Sequence, residues 1–201
     1  MKELTFASGN PAKLARYQRN FETVGVRLIS MRDAGFAQKI EEPLESEVEN
    51  ALHKARTVSQ ALGQPVLAVD EGMTTNFLAK EIGVYPRRLG DKDGPERTDE
   101  EIIAWWTEQF ASTEHPDPRI TWNFVIAYVD SAAGIEKHWL VHQYDSKSAW
   151  VGKSWTPGYP MSAIMSPVGV DKPYTDFSDE ERLQADWKML EDVVKKVGEM
   201  V

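Results

Sequence analysis

The sequence predicts an α/β protein with a mixed β-sheet and flanking helices, and three patterns support this. An apolar stretch at residues 2–8 runs directly into helical spacing at residues 12–24. A second helical pattern at residues 46–62 is followed by another segment of strand character. Residues 120–130 and 135–143 resemble two antiparallel strands joined by a short turn. Strands that alternate with helices and then form a hairpin indicate a mixed sheet.

The first two helices are bounded by residues that are typical of helix ends. Asn10 is a good N-cap and Pro11 a good first helical residue. Ser46 and Glu49 have capping-box spacing at the start of the second helix, and Gly63 is suited to end it. A strand is predicted after each of these helices in the sequence, at residues 26–31 and 65–69.

The remaining elements show shorter patterns. Helices are predicted at residues 73–78, 98–110 and 178–197. The last of these begins with a second capping box, formed by Ser178 and Glu181. Short strands are predicted at residues 147–154 and 163–166. Because no repeat or linker interrupts the pattern, a single domain over residues 1–201 is predicted.

Composition narrows the classes of function. No apolar run approaches the roughly 20 residues of a membrane span, and the N-terminus does not resemble a signal peptide. The chain has no cysteine, which excludes disulfides, thiolate metal ligands and cysteine nucleophiles. A net charge of −9 argues against binding a nucleic-acid polymer, although a small phosphate ligand needs only a local basic pocket. We therefore expect a cytoplasmic protein with a small-molecule substrate and no membrane partner.

The first candidate for chemistry lies where the first strand meets the first helix. Ser8, Gly9 and Asn10 precede the helix, and Lys13 lies near the end of its first turn. Backbone N–H groups at a helix start favour phosphate oxygens, and glycine lets the backbone approach them closely. Lys13 can reach the same anion. The spacing is not that of a P-loop, so an ordinary capped helix is the alternative.

Acidic residues form the second candidate. Asp70 ends a predicted buried strand, where α/β proteins place their ligands, while Glu41 and Glu42 lie in an acidic loop. Magnesium prefers carboxylates together with phosphate oxygens and water. One carboxylate could also accept a proton from an attacking water. The alternatives are a solvated loop for the glutamates and an ordinary turn for Asp70 and Glu71.

The third candidate is one face of the helix at residues 46–62. Glu47, Asn50 and Lys54 are spaced so that all three project on the same side. Lys54 would then point towards a site where an anion could lie. A solvent-facing polar stripe is the alternative.

In this order the motifs resemble those of the inosine/xanthosine triphosphate pyrophosphatase family. Its Ser/Thr-Gly-Asn-x-x-Lys matches residues 8–13, and its Glu-Asn-Ala-x-x-Lys-Ala matches residues 49–55. Its Asp-Asp-Ser-Gly-Leu corresponds to residues 69–73, and its Gly-Val-Tyr-Ser-Ala-Arg is echoed by residues 83–88. The shared order and spacing of four motifs are more specific than any one of them.

The resemblance implies a fold, a reaction and a set of roles. The fold would be an elongated mixed α/β structure with two lobes around a central cleft, usually in a homodimer. The reaction would be Mg²⁺-dependent hydrolysis of a nucleoside triphosphate, such as ITP or XTP, to a monophosphate and pyrophosphate. Asp70 would bind the metal and accept the proton, with Glu41 or Glu42 as the other metal ligand. The substrate-binding set implied in this half of the chain comprises Ser8, Gly9, Asn10, Lys13, Lys54, Glu71, Arg87 and Arg88.

The second half departs from the family pattern in the segments that recognise the base. The family's Phe-Gly-Tyr-Asp-Pro is reduced to residues 157–161, which keep Tyr159 and lack the aspartate. Lys172 corresponds to the lysine of the family's Gly-Lys-Thr, and Lys188 lies in Asp-Trp-Lys where the family has Ser-His-Arg. Tyr159, Lys172 and Lys188 are candidate substrate contacts. A pocket that has lost partners for a 6-keto purine should discriminate weakly in its favour.

The strand motif is also altered, since Val69 replaces the first aspartate and Glu71 the serine. These changes leave three hypotheses open. The first is a pyrophosphatase for a non-standard purine nucleotide. The others are a pyrophosphatase with altered preference, for a pyrimidine or modified nucleotide, and a catalytically silent nucleotide sensor.

Overall fold

The computed structural model describes residues 1–42, 44–146 and 154–201, and it confirms the predicted α/β fold class. The strands are β1 (Lys2–Phe6), β2 (Val26–Ser30), β3 (Val66–Thr75), β4 (Ile120–Asp130) and β5 (Ile135–Ser146). The α-helices of the described residues are α1 (Pro11–Glu22), α2 (Glu47–Leu62), α3 (Asp99–Ser112) and α4 (Asp179–Met200). Short 3₁₀ turns lie at Pro86–Arg88, Pro160–Ala163 and Tyr174–Asp176.

The five strands of the described residues form one sheet in the order β2-β1-β3-β4-β5. β1 pairs in parallel with both neighbours, with Leu4 opposite Leu28 and Thr5 opposite Val66. β4 and β5 are neighbours joined by residues 131–134, a connection short enough only for antiparallel strands. The sheet is therefore mixed, as predicted.

The chain divides into two compact units. The first comprises Met1–Glu71, Phe124–His142 and Leu183–Val201. The second comprises Gly72–Asn123 and Gln143–Arg182. The single domain over residues 1–201 stays a prediction.

Each face of the sheet in the first unit has its own apolar core. On one face, Leu67 and Val69 of β3 belong to a cluster with Tyr17 of α1 and Leu190 of α4. On the other face, the alternate residue Ala68 belongs to a cluster with residues of α2. Because successive residues of a strand point to opposite faces, the buried run in β3 is apolar without alternation.

The core of the second unit contains the aromatic residues of α3. Trp106 is fully buried, and its ring lies 4.9 Å from that of Trp105 and 6.5 Å from that of Phe77. Phe110 also contacts Phe77, with ring centroids 4.9 Å apart. Aromatic side chains of this size supply much of the apolar area that a small core buries.

The helix ends follow the predicted signals. The Asn10 side chain accepts a hydrogen bond from the N–H of Ala12, and Gly63 ends α2 in the left-handed conformation with φ of 66°. Ser178 and Glu181 exchange both bonds of a capping box. The described helices include none long and apolar enough to cross a membrane.

Two predicted elements are wrong. Residues 73–78 do not begin a helix, because β3 continues to Thr75 and Met73 exchanges two hydrogen bonds of 2.9 Å with Gly83. Residues 163–166 do not form a strand, because Pro160–Ala163 is a 3₁₀ turn closed by a bond from Ile164 to Met161. In the first segment, strand pairing overrides the local helical spacing. In the second, the fixed φ of Pro160 favours a turn over a strand. Most of the strand predicted at residues 147–154 lies outside the described residues.

Ser59→Ala should lower the free energy of unfolding by about 1–3 kcal/mol, because this fully buried hydroxyl serves two backbone groups. It donates to Gln64 O at 2.8 Å and accepts from Ser131 N at 2.9 Å, which joins the end of α2 to the β4–β5 turn. Urea unfolding measures the change. Ser112→Ala, at an exposed site, is the control, and an equal effect of the two variants would contradict this role.

Candidate active site

The parallel pairing of β1 and β3 brings the acidic part of β3 towards residues 8–10, the glycine loop that follows β1. Thr5 is opposite Val66 and Phe6 opposite Leu67, and the N–H of Ala7 donates to Leu67 O at 2.7 Å. β1 ends at Phe6, whereas β3 continues. The carboxyl end of β1 and the start of α1 therefore lie next to the acidic part of β3.

Lys54 of α2 is buried between two carboxylates. Its Nζ lies 2.6 Å from Asp70 Oδ1 and 3.2 Å from Glu42 Oε1. The Lys54 and Asp70 side chains are 7% and 5% exposed, whereas that of Glu42 is 45% exposed. The side chain of Lys54 thus contacts acids rather than forming a solvent-facing stripe, and it brings Asp70 and Glu42 to one point.

This pairing changes the pKa of both buried groups. Burial raises the pKa of Asp70 to about 6, against the opposing effect of the Lys54 ammonium, while Glu42 adds to the rise. Burial alone would lower the pKa of Lys54, but the charges of Asp70 and Glu42 outweigh it and the pKa is raised. Near neutral pH, Asp70 is therefore largely ionised and basic enough to accept a proton.

Glu71 lies on the other face of β3 from Asp70, because the two residues are consecutive in the strand. Its Oε2 is 3.5 Å from Lys13 Nζ of α1, and its side chain is 7% exposed. Asp70 Oδ2 and Glu71 Oε1 are both buried and accept no hydrogen bond from the described residues. Buried carboxylate oxygens without a partner are costly, so each is suited to a cation or a donor from a ligand.

Asn50 holds the acidic loop against α2. Its side chain donates to Leu44 O at 2.9 Å and accepts from Leu44 N at 3.2 Å. Glu42, two residues before Leu44, is thereby kept within reach of Lys54. Glu41 instead is exposed and lies 3.6 Å from Lys39.

The glycine loop presents a capped helix start. Asn10 caps α1, and Ser8 Oγ accepts a hydrogen bond from Asn10 N at 3.2 Å. Among the described residues, a Cβ at Gly9 would meet only Met31 Cε, at 4.0 Å, so packing against them does not require glycine here. The open space at Gly9 suits close approach of a ligand to the backbone.

Four predicted contacts lie in the second unit, each with a partner of its own. Arg87 donates two bonds of 2.9 Å to Asp99 Oδ1, and Arg88 donates to the carbonyl oxygen of Lys92 at 2.7 Å. The Tyr159 ring packs edge-on against Tyr174 at 6.3 Å. Lys172 pairs with Glu181 at 2.7 Å.

Lys188 and its neighbour Asp186 differ in their surroundings. Lys188 is exposed and lines a groove of about 370 Å³ between β5 and α4 in the first unit. Asp186 is 2% exposed, and its Oδ1 accepts from Arg16 Nε at 3.0 Å and Nη2 at 2.8 Å. The Arg16 guanidinium also lies 5.0 Å from the centre of the Phe124 ring. Sequence reasoning missed this pair, because 170 residues separate its members and neither belongs to a motif that marks the other.

The donor set around Lys54 fits a hard divalent cation. No cluster of three or more histidine or acidic side chains suited to a metal occurs in the part of the chain that is described. Magnesium usually takes one or two carboxylates and completes its shell with water and substrate phosphate, so a full protein cage is not required. Asp70, with one unpartnered oxygen, and Glu42 supply such a pair.

A model of the Ham1 family matches residues 4–143 of the chain. A dITP/XTP pyrophosphatase of Burkholderia pseudomallei is 29% identical over 202 residues, covering 98% of this chain and 94% of the relative. One from Ralstonia nicotianae is 29% identical over 169 residues, covering 82% of this chain and 83% of the relative.

Two solved structures are similar over nearly the whole chain. A HAM1 protein from Coxiella burnetii is 25% identical with a TM-score of 0.75, covering 99% of this chain and 100% of that one. The Ham1 protein of Staphylococcus aureus is 21% identical with a TM-score of 0.72 and full coverage of both chains. The second likeness, at its low identity, concerns the fold alone.

The raised pKa of Asp70 predicts how stability depends on pH. The Asp70 carboxyl holds its proton more tightly in the folded chain than in the unfolded chain, so protonation stabilises the fold. This stabilisation is complete below about pH 4 and is lost as pH rises through about 6. Asp70→Asn removes the titration. The free energy of unfolding of Asp70→Asn minus that of wild type should therefore increase from pH 4 to pH 7, by on the order of 2 kcal/mol.

Urea unfolding at a series of pH values measures this difference, with Asp99→Asn as the comparison. Burial acts to raise the pKa of Asp99, but the Gly158 N–H and Arg87 outweigh it and the pKa is lowered. The free energy of unfolding of Asp99→Asn minus that of wild type should change in the opposite direction, because the ionised Asp99 stabilises the wild type and this is lost as pH falls below about 4. A flat difference for Asp70→Asn would contradict the burial of an ionised Asp70.

Proposed function

The chain belongs to the Ham1 family, which confirms the resemblance drawn from its motifs, and from this premise we propose that it hydrolyses a nucleoside triphosphate to a monophosphate and pyrophosphate. The observation that carries the proposal is the buried contact of Lys54 with Asp70 and Glu42, next to the start of α1. This arrangement joins a proton acceptor, a carboxylate pair and a phosphate-binding helix end. Its curated relatives named above are dITP/XTP pyrophosphatases.

The triphosphate would be bound by groups at the start of α1 and on α2. Ser8, Gly9 and Asn10 offer backbone N–H groups at the helix end, where the helix dipole favours an anion. Lys13 and Lys54 carry the local positive charge, each now held by a carboxylate. A bound polyphosphate would share or replace those carboxylate contacts.

Asp70 is the proposed proton acceptor for the attacking water. Its Oδ1 is engaged by Lys54, whereas its buried Oδ2 has no partner among the described residues. A carboxylate with a pKa of about 6 is mostly ionised near neutral pH and accepts a proton more readily than an ordinary aspartate. Lys54 fixes the orientation of this carboxylate through the 2.6 Å bond.

A divalent cation, proposed to be Mg²⁺, would be held by Asp70 and Glu42. When bound it neutralises charge that develops on the phosphate oxygens. We propose Glu42 rather than Glu41 as the second ligand, because Glu42 and Asp70 already contact the same ammonium group, that of Lys54. Glu41 is 76% exposed and pairs with Lys39.

Tyr159, Lys172 and Lys188 are each proposed as substrate contacts from the family resemblance, and Arg87 and Arg88 as groups that offset phosphate charge. Tyr159 and Lys172 each contact residues of the same unit, Tyr174 and Glu181 respectively. ITP or XTP is the first substrate to test, and a pyrimidine or modified nucleotide is the alternative that the altered second half favours. A homodimer in the cytoplasm stays a prediction from the family resemblance.

Pyrophosphate release from standard and deaminated nucleoside triphosphates, with Mg²⁺ saturating, tests the activity directly. Asp70→Asn should lower kcat by roughly 10²–10⁴-fold, because it removes the proton acceptor while keeping the shape of the side chain. Glu22→Gln, at an exposed position of α1, is the matched control and should keep wild-type turnover. Nucleotide binding without release across the panel would favour a sensor, and full turnover of Asp70→Asn would exclude Asp70 as the acceptor.

The choice between the two loop glutamates is tested by the Mg²⁺ dependence of turnover. Glu42→Gln should raise the Mg²⁺ concentration needed for half-maximal rate by roughly tenfold or more, because it removes one of two proposed carboxylate ligands. Glu41→Gln should leave that concentration unchanged. The reverse result would assign the ligand to Glu41.

A further inference from the structure

Glu71 is a buried carboxylate at a point where a triphosphate is proposed to bind. Its side chain is 7% exposed, its Oε2 lies 3.5 Å from Lys13 Nζ, and its buried Oε1 has no hydrogen-bond partner among the described residues. A second acid beside a polyphosphate would repel it unless a cation lies between them. The unpartnered oxygen indicates that the free chain does not satisfy this group by itself.

The cation that Asp70 and Glu42 would hold is placed on the other side of β3. Asp70 faces α2, where it meets Lys54, whereas Glu71 faces α1, where it meets Lys13. Consecutive strand residues point to opposite faces of the sheet, so the two carboxylates leave β3 in opposite directions. A cation on Glu71 would therefore be a separate one.

The balance of charge also favours an additional cation. Glu42, Asp70 and Glu71 supply three carboxylates, against the two ammonium groups of Lys13 and Lys54. The group is thus net negative before any substrate arrives, although a triphosphate is strongly anionic. Magnesium bridges carboxylate and phosphate oxygens readily and keeps water for its other positions.

We propose that Glu71 ligates a second divalent cation when a triphosphate is bound, and that this cation would offset the repulsion between the Glu71 carboxylate and the phosphate oxygens. Lys13, released from the carboxylate, would then be free to bind the phosphate. The inference rests on the proposed function, since the triphosphate must lie at the start of α1. It makes Glu71 a metal ligand in addition to the pair formed by Asp70 and Glu42.

Equilibrium dialysis with Mn²⁺ and a triphosphate analogue tests the proposal. The analogue is an inosine nucleotide whose α–β bridging oxygen is replaced by NH, so that the bond cannot be cleaved there. The excess concentration of Mn²⁺ in the protein compartment, divided by the excess concentration of analogue there, gives the number of ions bound with each analogue. Wild type should bind two, and Glu71→Gln and Glu71→Ser should each bind one.

Glu22→Gln is the matched control, since it removes an exposed carboxylate from α1 and should keep two ions per analogue. One ion in wild type, two in both Glu71 variants, or no binding of the analogue would overturn the proposal. Pyrophosphate release is measured in parallel on the wild type. Release with one ion overturns only this inference, whereas two ions without release supports it and overturns only the proposed function.

Discussion

The buried ammonium group of Lys54 is the constraint on which the candidate site depends. Burying this charge is unfavourable unless carboxylates meet it, and Asp70 at 2.6 Å and Glu42 at 3.2 Å do so. The contact of Lys54 with Asp70 ties α2 to β3, and its contact with Glu42 draws the acidic loop to the same point. Asn50 completes the arrangement by bonding both backbone groups of Leu44. One buried ammonium group thus joins a helix, a strand and a loop at a single point.

The sheet supplies the second constraint, because Asp70 and Glu71 extend from its two different faces. Apolar residues of β3 pack against α1 and α4 on one face and against α2 on the other. The same alternation continues into Asp70 and Glu71, so each acid meets a lysine from a different helix. The core that holds the fold together therefore also sets the direction of the two carboxylates.

Much of the fold and part of the site could be predicted from local signals. Asn10 and Gly63 mark helix ends whatever the rest of the chain does, and the family motifs singled out Asp70 and Lys54, which the structure brings into contact. The path of residues 73–78 could not be predicted, because the pairing of Met73 with Gly83 overrides their local spacing.

Spacing also gave no means to choose between Glu41 and Glu42, since only the reach of Lys54 separates them. The pair of Arg16 and Asp186 depends on packing between distant helices, which no local pattern encodes.

The position of the bond that is cleaved tests the account most directly, since every proposed role serves attack of water on the α-phosphorus. Hydrolysis of the best substrate in ¹⁸O-labelled water, followed by mass spectrometry of the products, locates the attack. The account predicts one labelled oxygen in the nucleoside monophosphate and unlabelled pyrophosphate. Label in the pyrophosphate, or release of orthophosphate and a nucleoside diphosphate, would contradict it.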